Sequence, residues 1–141
     1  MKANINHFFV YGTLRPDIKA PWSNSVHNNP KFKIRSHKSI LRHSKLFMNK
    51  AIGYPVCIYD KNKFTEKNIT IGYILETDNI VEAMKRMDEI EGYPYEYDRI
   101  VVDSYNLELE KNQEVYFYTI NSETFKMDDL IELKSNDFAL I

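Results

Sequence analysis

One cysteine, four glycines and five prolines are all that this chain of 141 residues carries of the residues that staple or break a backbone. The lone Cys57 excludes an internal disulfide framework and agrees with a reducing compartment. The glycines, at positions 12, 53, 72 and 92, are too widely spaced for the loop of a dinucleotide or nucleoside triphosphate site. No apolar run is long enough to cross a bilayer, and residues 1–7 lack the apolar core of a signal peptide. A cytoplasmic protein with no membrane partner is expected. The four histidines, His7, His27, His37 and His43, show no zinc-site spacing, so no metal is expected.

Aromatic residues, by contrast, are plentiful: ten Tyr and eight Phe, within a hydrophobic content of 43%. That composition argues against disorder and for one domain spanning residues 1–141 with a real core. Net charge is only −1, but it is unevenly spread: residues 1–60 carry +8 and residues 61–141 carry −9. A basic half can mark a nucleic-acid surface. Here Lys31, Lys33 and Arg35 alternate with Phe32 and Ile34, the pattern of a half-buried strand with a solvated face. No nucleic-acid motif accompanies the charge, so a nucleic-acid partner is the weaker expectation.

Strand patterns occupy residues 7–11, 31–36, 45–48, 55–59, 69–76, 99–105 and 114–120. The first is apolar throughout, as a strand buried on both faces would be. Gly72 interrupts the fifth, where a bulge or a close backbone approach is expected. Residues 17–30, rich in Pro, Ser and Asn, read as a long surface loop around Trp22. One helix is expected over residues 80–91, opened by an Asn79/Glu82 capping box variant, and a short second one over residues 126–133. The fold class is therefore α+β: a small, mixed, largely closed β-barrel of about six strands with one main helix and a short C-terminal helix.

The helix holds the most informative residue. At about 100° per residue, Ile80, Met84, Met87 and Glu91 share one arc, flanked by Ala83 and Ile90, while Lys85, Arg86 and Glu89 point away. Glu91 is thus a carboxylate where an apolar residue belongs. Burial there raises its pKa and makes it a candidate general acid/base. The alternative is a last-turn residue bending out to solvent, since Gly92 follows as a C′ glycine. Asp88, at the edge of the arc, reads either as an orienting partner of Glu91 or as a partly exposed acid. Cys57, in an alternating strand, reads as a small core residue rather than a nucleophile.

A second candidate is the turn after the first strand. Gly12 lets the backbone turn tightly, and the successive N–H groups of Thr13 and Leu14 suit a carboxylate. Taken in order, Val10-Tyr-Gly-Thr-Leu-Arg15, Gly53-Tyr-Pro-Val56 and Met87-Asp-Glu-Ile-Glu-Gly-Tyr93 followed by Tyr97-Asp98-Arg99 resemble the γ-glutamyl cyclotransferase-like family, over roughly residues 7–120. The resemblance implies a small barrel with helices around it, and a reaction that splits a small γ-glutamyl compound into 5-oxoproline and a free amine with no cofactor. It implies that Tyr11, Gly12, Thr13 and Leu14 hold the γ-glutamyl unit and that Glu91 is the catalytic carboxylate. Tyr97 and Arg99 match the family's Tyr-x-Arg element, in a structural or pocket-lining role. The chain departs from the family pattern at Ser44, Phe47-Met48-Asn49-Lys50 and Met87. Two other readings stand beside the enzyme: a non-catalytic module of the same fold that binds a small ligand, and a nucleic-acid binder using the basic first half.

Overall fold

The computed structural model describes residues 5–51, 53–120 and 127–140. Five strands close a barrel in the order β1 (His7–Val10), β5 (Ile69–Glu76), β2 (Arg35–Arg42), β6 (Tyr97–Asn106) and β7 (Lys111–Ile120). The ring closes where β1 runs parallel to β7, with Phe8 opposite Tyr116 and Phe9 opposite Phe117. A second sheet of three strands has the order β4 (Tyr54–Tyr59), β3 (Ser44–Asn49), β8 (Leu130–Glu132). The α+β fold on a closed sheet is the one expected; five strands make the barrel and three stand outside it.

The first strand is buried on both faces, as its composition requires. Phe8 and Val10 pack toward helix α2 (Ile80–Glu91) with Ala83, Met84, Met87 and Tyr118, whereas Phe9 and Tyr11 join Leu41, Ile74, Val115 and Phe117 in a second core. Burial of Met84 and Met87 is worth roughly 2 kcal/mol each, enough to fix the face that α2 turns to the barrel. Gly72 is the close approach expected of it: a Cβ there would stand 2.3 Å from the Val10 carbonyl oxygen and 2.7 Å from the Phe9 ring.

Helix α2 starts where Asn79 Oδ1 accepts from the Glu82 N–H at 3.5 Å, and it ends at Gly92, whose φ of 69° is left-handed. The N–H groups of Gly92 and Tyr93 both return to the Asp88 carbonyl. No described helix is long and apolar enough to cross a membrane.

Three segments differ from expectation. Residues 31–34 alternate in burial, Phe32 inside and Lys31 and Lys33 outside, without forming a strand. A turn from Asn29 to Phe32 and the left-handed Lys33 (φ 48°) break the ladder, and β2 begins at Arg35. The loop over residues 17–30 contains a 3₁₀ turn at Pro21–Ser23 and a short helix α1 (Asn24–His27). In the tail, Met127–Asp129 is a 3₁₀ turn and the chain then becomes β8, because the free edge of β3 captures it; Lys126 lies outside the described residues. The uneven charge is partly self-complementing, through Arg15–Asp137, Arg35–Glu76, Arg35–Asp78 and Lys45–Glu132 ion pairs.

Candidate functional site

The turn that ends β1 is shaped by its neighbours. The Arg15 N–H closes it onto the Gly12 carbonyl at 3.0 Å. Gly12 itself lies against Pro55, whose Cγ would be 3.0 Å from any Cβ at position 12. Pro55 is presented by a tight β3–β4 connection in which Gly53 takes a φ of 74°, and its carbonyl accepts the Tyr97 hydroxyl at 3.3 Å. Tyr11 is buried and donates its hydroxyl to the Tyr118 carbonyl at 3.0 Å. Arg15, the last residue of that motif, is buried and structural: it pairs with Asp17 and Asp137.

These elements wall one cavity of about 360 Å³, a volume suited to a small molecule. Tyr11, Gly12, Thr13, Leu14, Glu91 and Tyr97 all line it. The carboxylate picked out by helical periodicity and the turn picked out by its glycine therefore face the same space. Arg99 does not line the cavity; it pairs with Asp88 and lies over the Tyr93 ring at 4.2 Å. Asp88 is accordingly a partner of Arg99 and of the Tyr118 hydroxyl rather than of Glu91.

Glu91 keeps some solvent contact through the cavity, yet protein atoms crowd its carboxyl. Desolvation is the main cause, and the charge of Glu96 the second, that pushes its pKa up to about 8. Both act in the same direction. Arg86, the arginine in the cavity wall, is already engaged by Ser25 Oγ at 2.8 Å and by Glu89 at 3.2 Å. Burial also pushes the Tyr97 and Tyr11 hydroxyls up, with Glu91 adding to both, so each stays a neutral donor.

Several lining residues escape sequence reasoning. Trp22, from the loop without periodicity, donates its indole N–H to Thr13 Oγ1 at 3.0 Å and stands edge-on to Tyr54. Tyr118 and Glu96 also line the cavity, and neither belongs to a pattern that marks it. Cys57 is wholly buried, its thiol pushed up to about 12 by desolvation, and it packs as a core residue. Of the departures from the family pattern, Met87 fills the core and Ser44 is buried, donating its hydroxyl to the Leu41 carbonyl at 2.7 Å.

The chain matches the family model described as "Gamma-glutamyl cyclotransferase, AIG2-like" over residues 8–139. No curated protein matches its sequence significantly. Among solved structures, a mouse AIG2-like protein superposes with a TM-score of 0.72 at 20% identity, covering 93% of this chain and 87% of that one. An Arabidopsis thaliana protein gives 0.64 at 19% identity, covering 93% and 79%. A protein described as a gamma-glutamyl cyclotransferase gives 0.60 at 14% identity, covering 89% and 68%. At such identities the likeness is one of fold.

Proposed function

The chain belongs to the AIG2-like gamma-glutamyl cyclotransferase family, and we propose that it cyclises the γ-glutamyl unit of a small γ-glutamyl amine or amino acid to 5-oxoproline, releasing the free amine. The observation that carries the reading is the placement of Glu91, with its raised pKa, in the cavity that the Tyr11–Leu14 turn also lines.

The reaction is an intramolecular acyl transfer. The substrate's α-ammonium must lose a proton before its nitrogen can attack its own γ-carbonyl carbon. Glu91, ionised, takes that proton; the new C–N bond closes the five-membered ring, and the charge moves to the γ-oxygen. Collapse of this intermediate breaks the original amide C–N bond as Glu91 returns its proton to the departing nitrogen, and Glu91, ionised again, takes the second proton from the ring nitrogen and passes it to the freed amine, which leaves as an ammonium. A carboxyl with a pKa of about 8 suits both halves, because it is neither too weak a base for the first nor too weak an acid for the second. Such proton transfers contribute on the order of 10²–10⁴-fold.

Nucleophile and electrophile are joined in one molecule, so holding the substrate curled supplies much of the remaining acceleration. In this reading Tyr11, Gly12, Thr13 and Leu14 do so: the backbone N–H groups of the turn receive the substrate's carboxylate and the developing oxyanion. Tyr97 closes the cavity wall, and no metal or cofactor takes part. Incubating the purified protein with a panel of γ-glutamyl compounds and assaying 5-oxoproline by mass tests the reading. Formation of 5-oxoproline from at least one member is expected, and none from any would overturn it.

A further inference from the structure

Three contacts outside the reacting groups converge on one side chain. Asp88 lies one helical turn before Glu91, and its carboxylate receives the Tyr118 hydroxyl and the Arg99 guanidinium, both at 2.5 Å. Tyr118 and Arg99 are direct cross-strand partners on β7 and β6, so the helix is gripped by one rung that spans two adjacent strands of the barrel. The backbone of the same aspartate accepts the Gly92 and Tyr93 N–H groups. Glu91 is therefore fixed on both sides, by the clamp before it and the glycine turn after it. Tyr118 also reaches the opposite wall: its carbonyl holds the Tyr11 hydroxyl. One residue thus ties the turn that lines the cavity to the helix that carries Glu91.

We propose that Asp88 is a positioning residue, which through Tyr118 and Arg99 sets the Glu91 carboxylate opposite the Tyr11–Leu14 turn. The proposal rests on the cyclotransferase reading for its kinetic consequence, though not for its structural one. Rigid supports of this kind matter because a misplacement of about 1 Å can cost on the order of a hundredfold in rate. An aspartate serving only to stabilise the fold would leave the rate per folded molecule unchanged.

The test uses Asp88→Asn and Tyr118→Phe in the full chain, with the folded fraction checked by circular dichroism. Tyr118→Phe removes one hydroxyl and leaves every charge in place. For both, kcat should fall at least about tenfold while KM changes less than about threefold, with Asp88→Asn the more severe. The Glu91 carboxyl, followed by ¹³C NMR, should titrate lower in Tyr118→Phe than in the parent, as the loosened turn admits water. Glu96, Tyr97 and Tyr11, whose charges couple to it, and Arg86 and Glu89 in the same cavity wall are all unchanged in that variant, which loses only the neutral Tyr118 hydroxyl. A parent-like kcat and a parent-like Glu91 titration in Tyr118→Phe would overturn the proposal. If no γ-glutamyl compound is turned over even by the parent, the cyclotransferase reading fails, and the titration alone decides the positioning role.

Discussion

The Glu96 carboxylate folds back over Gly92, where a Cβ would meet its Oε2 at 2.7 Å, and its charge adds to burial in raising the pKa of Glu91. The consequence is a pH dependence with a definite sign. Because Glu91 must be ionised to accept a proton, kcat/KM should rise as pH passes through about 8. Glu96→Gln removes a like charge, stabilises the ionised form of Glu91 and moves that limb to lower pH. A pH–rate profile of the two proteins checks this; a limb unmoved by Glu96→Gln contradicts it.

Stability carries the same signature. The Glu91 pKa is higher in the folded protein, at about 8, than in the unfolded chain, so folding takes up a proton in between. The stability due to protonated Glu91 is complete below the unfolded value of about 4.3 and is lost as pH rises through 8. Glu91→Gln, neutral at every pH, escapes that loss. Its melting temperature should match the parent's near pH 4 and exceed it near pH 9, where the gain in stability is at most about 5 kcal/mol and less because the cavity admits water. Parallel melting curves across that range would show that Glu91 is not perturbed.

Two glycines separate a folding constraint from a site constraint. At Gly72 a methyl group would strike a backbone oxygen that the β1–β5 pairing holds in place, so Gly72→Ala should cost about 3 kcal/mol or prevent folding. At Gly12 it would press on a proline ring that can give by a few tenths of an ångström. Gly12→Ala should lose less than about 1.5 kcal/mol yet raise KM several-fold, since it reshapes the turn lining the cavity. Thermal denaturation and steady-state kinetics of the pair distinguish the two effects.

Trp22 forms a wall of the cavity and is tied to Thr13. Trp22→Ala should raise KM on the order of tenfold for compounds with a bulky leaving amine and leave kcat within about threefold. A loss confined to kcat would instead place Trp22 among the groups that act in the transition state.

The elements legible in the sequence are those governed by local rules. Helix α2 occupies residues 80–91 as periodicity and its Asn79 and Gly92 ends require, and β5 spans residues 69–76. Glu91 could be singled out because a charge on an apolar arc breaks a strict pattern. What stayed hidden depends on tertiary partners. Phe32 keeps its inward place although residues 31–34 are no strand, since its carbonyl anchors the Thr77 hydroxyl and the Asp78 N–H. Trp22 reaches the cavity because Arg86 binds Ser25 and His27 meets the Leu14 carbonyl, contacts that no spacing announces. Asp88 faces an arginine and a tyrosine from strands that only the closed barrel brings to it.

The most direct measurement is turnover of a γ-glutamyl compound by Glu91→Gln, with 5-oxoproline quantified by mass and product binding measured alongside. Turnover reduced on the order of a thousandfold, with 5-oxoproline still bound, is the expected result. Turnover near the parent's level would remove Glu91 from the chemistry and with it the mechanism proposed for this cavity.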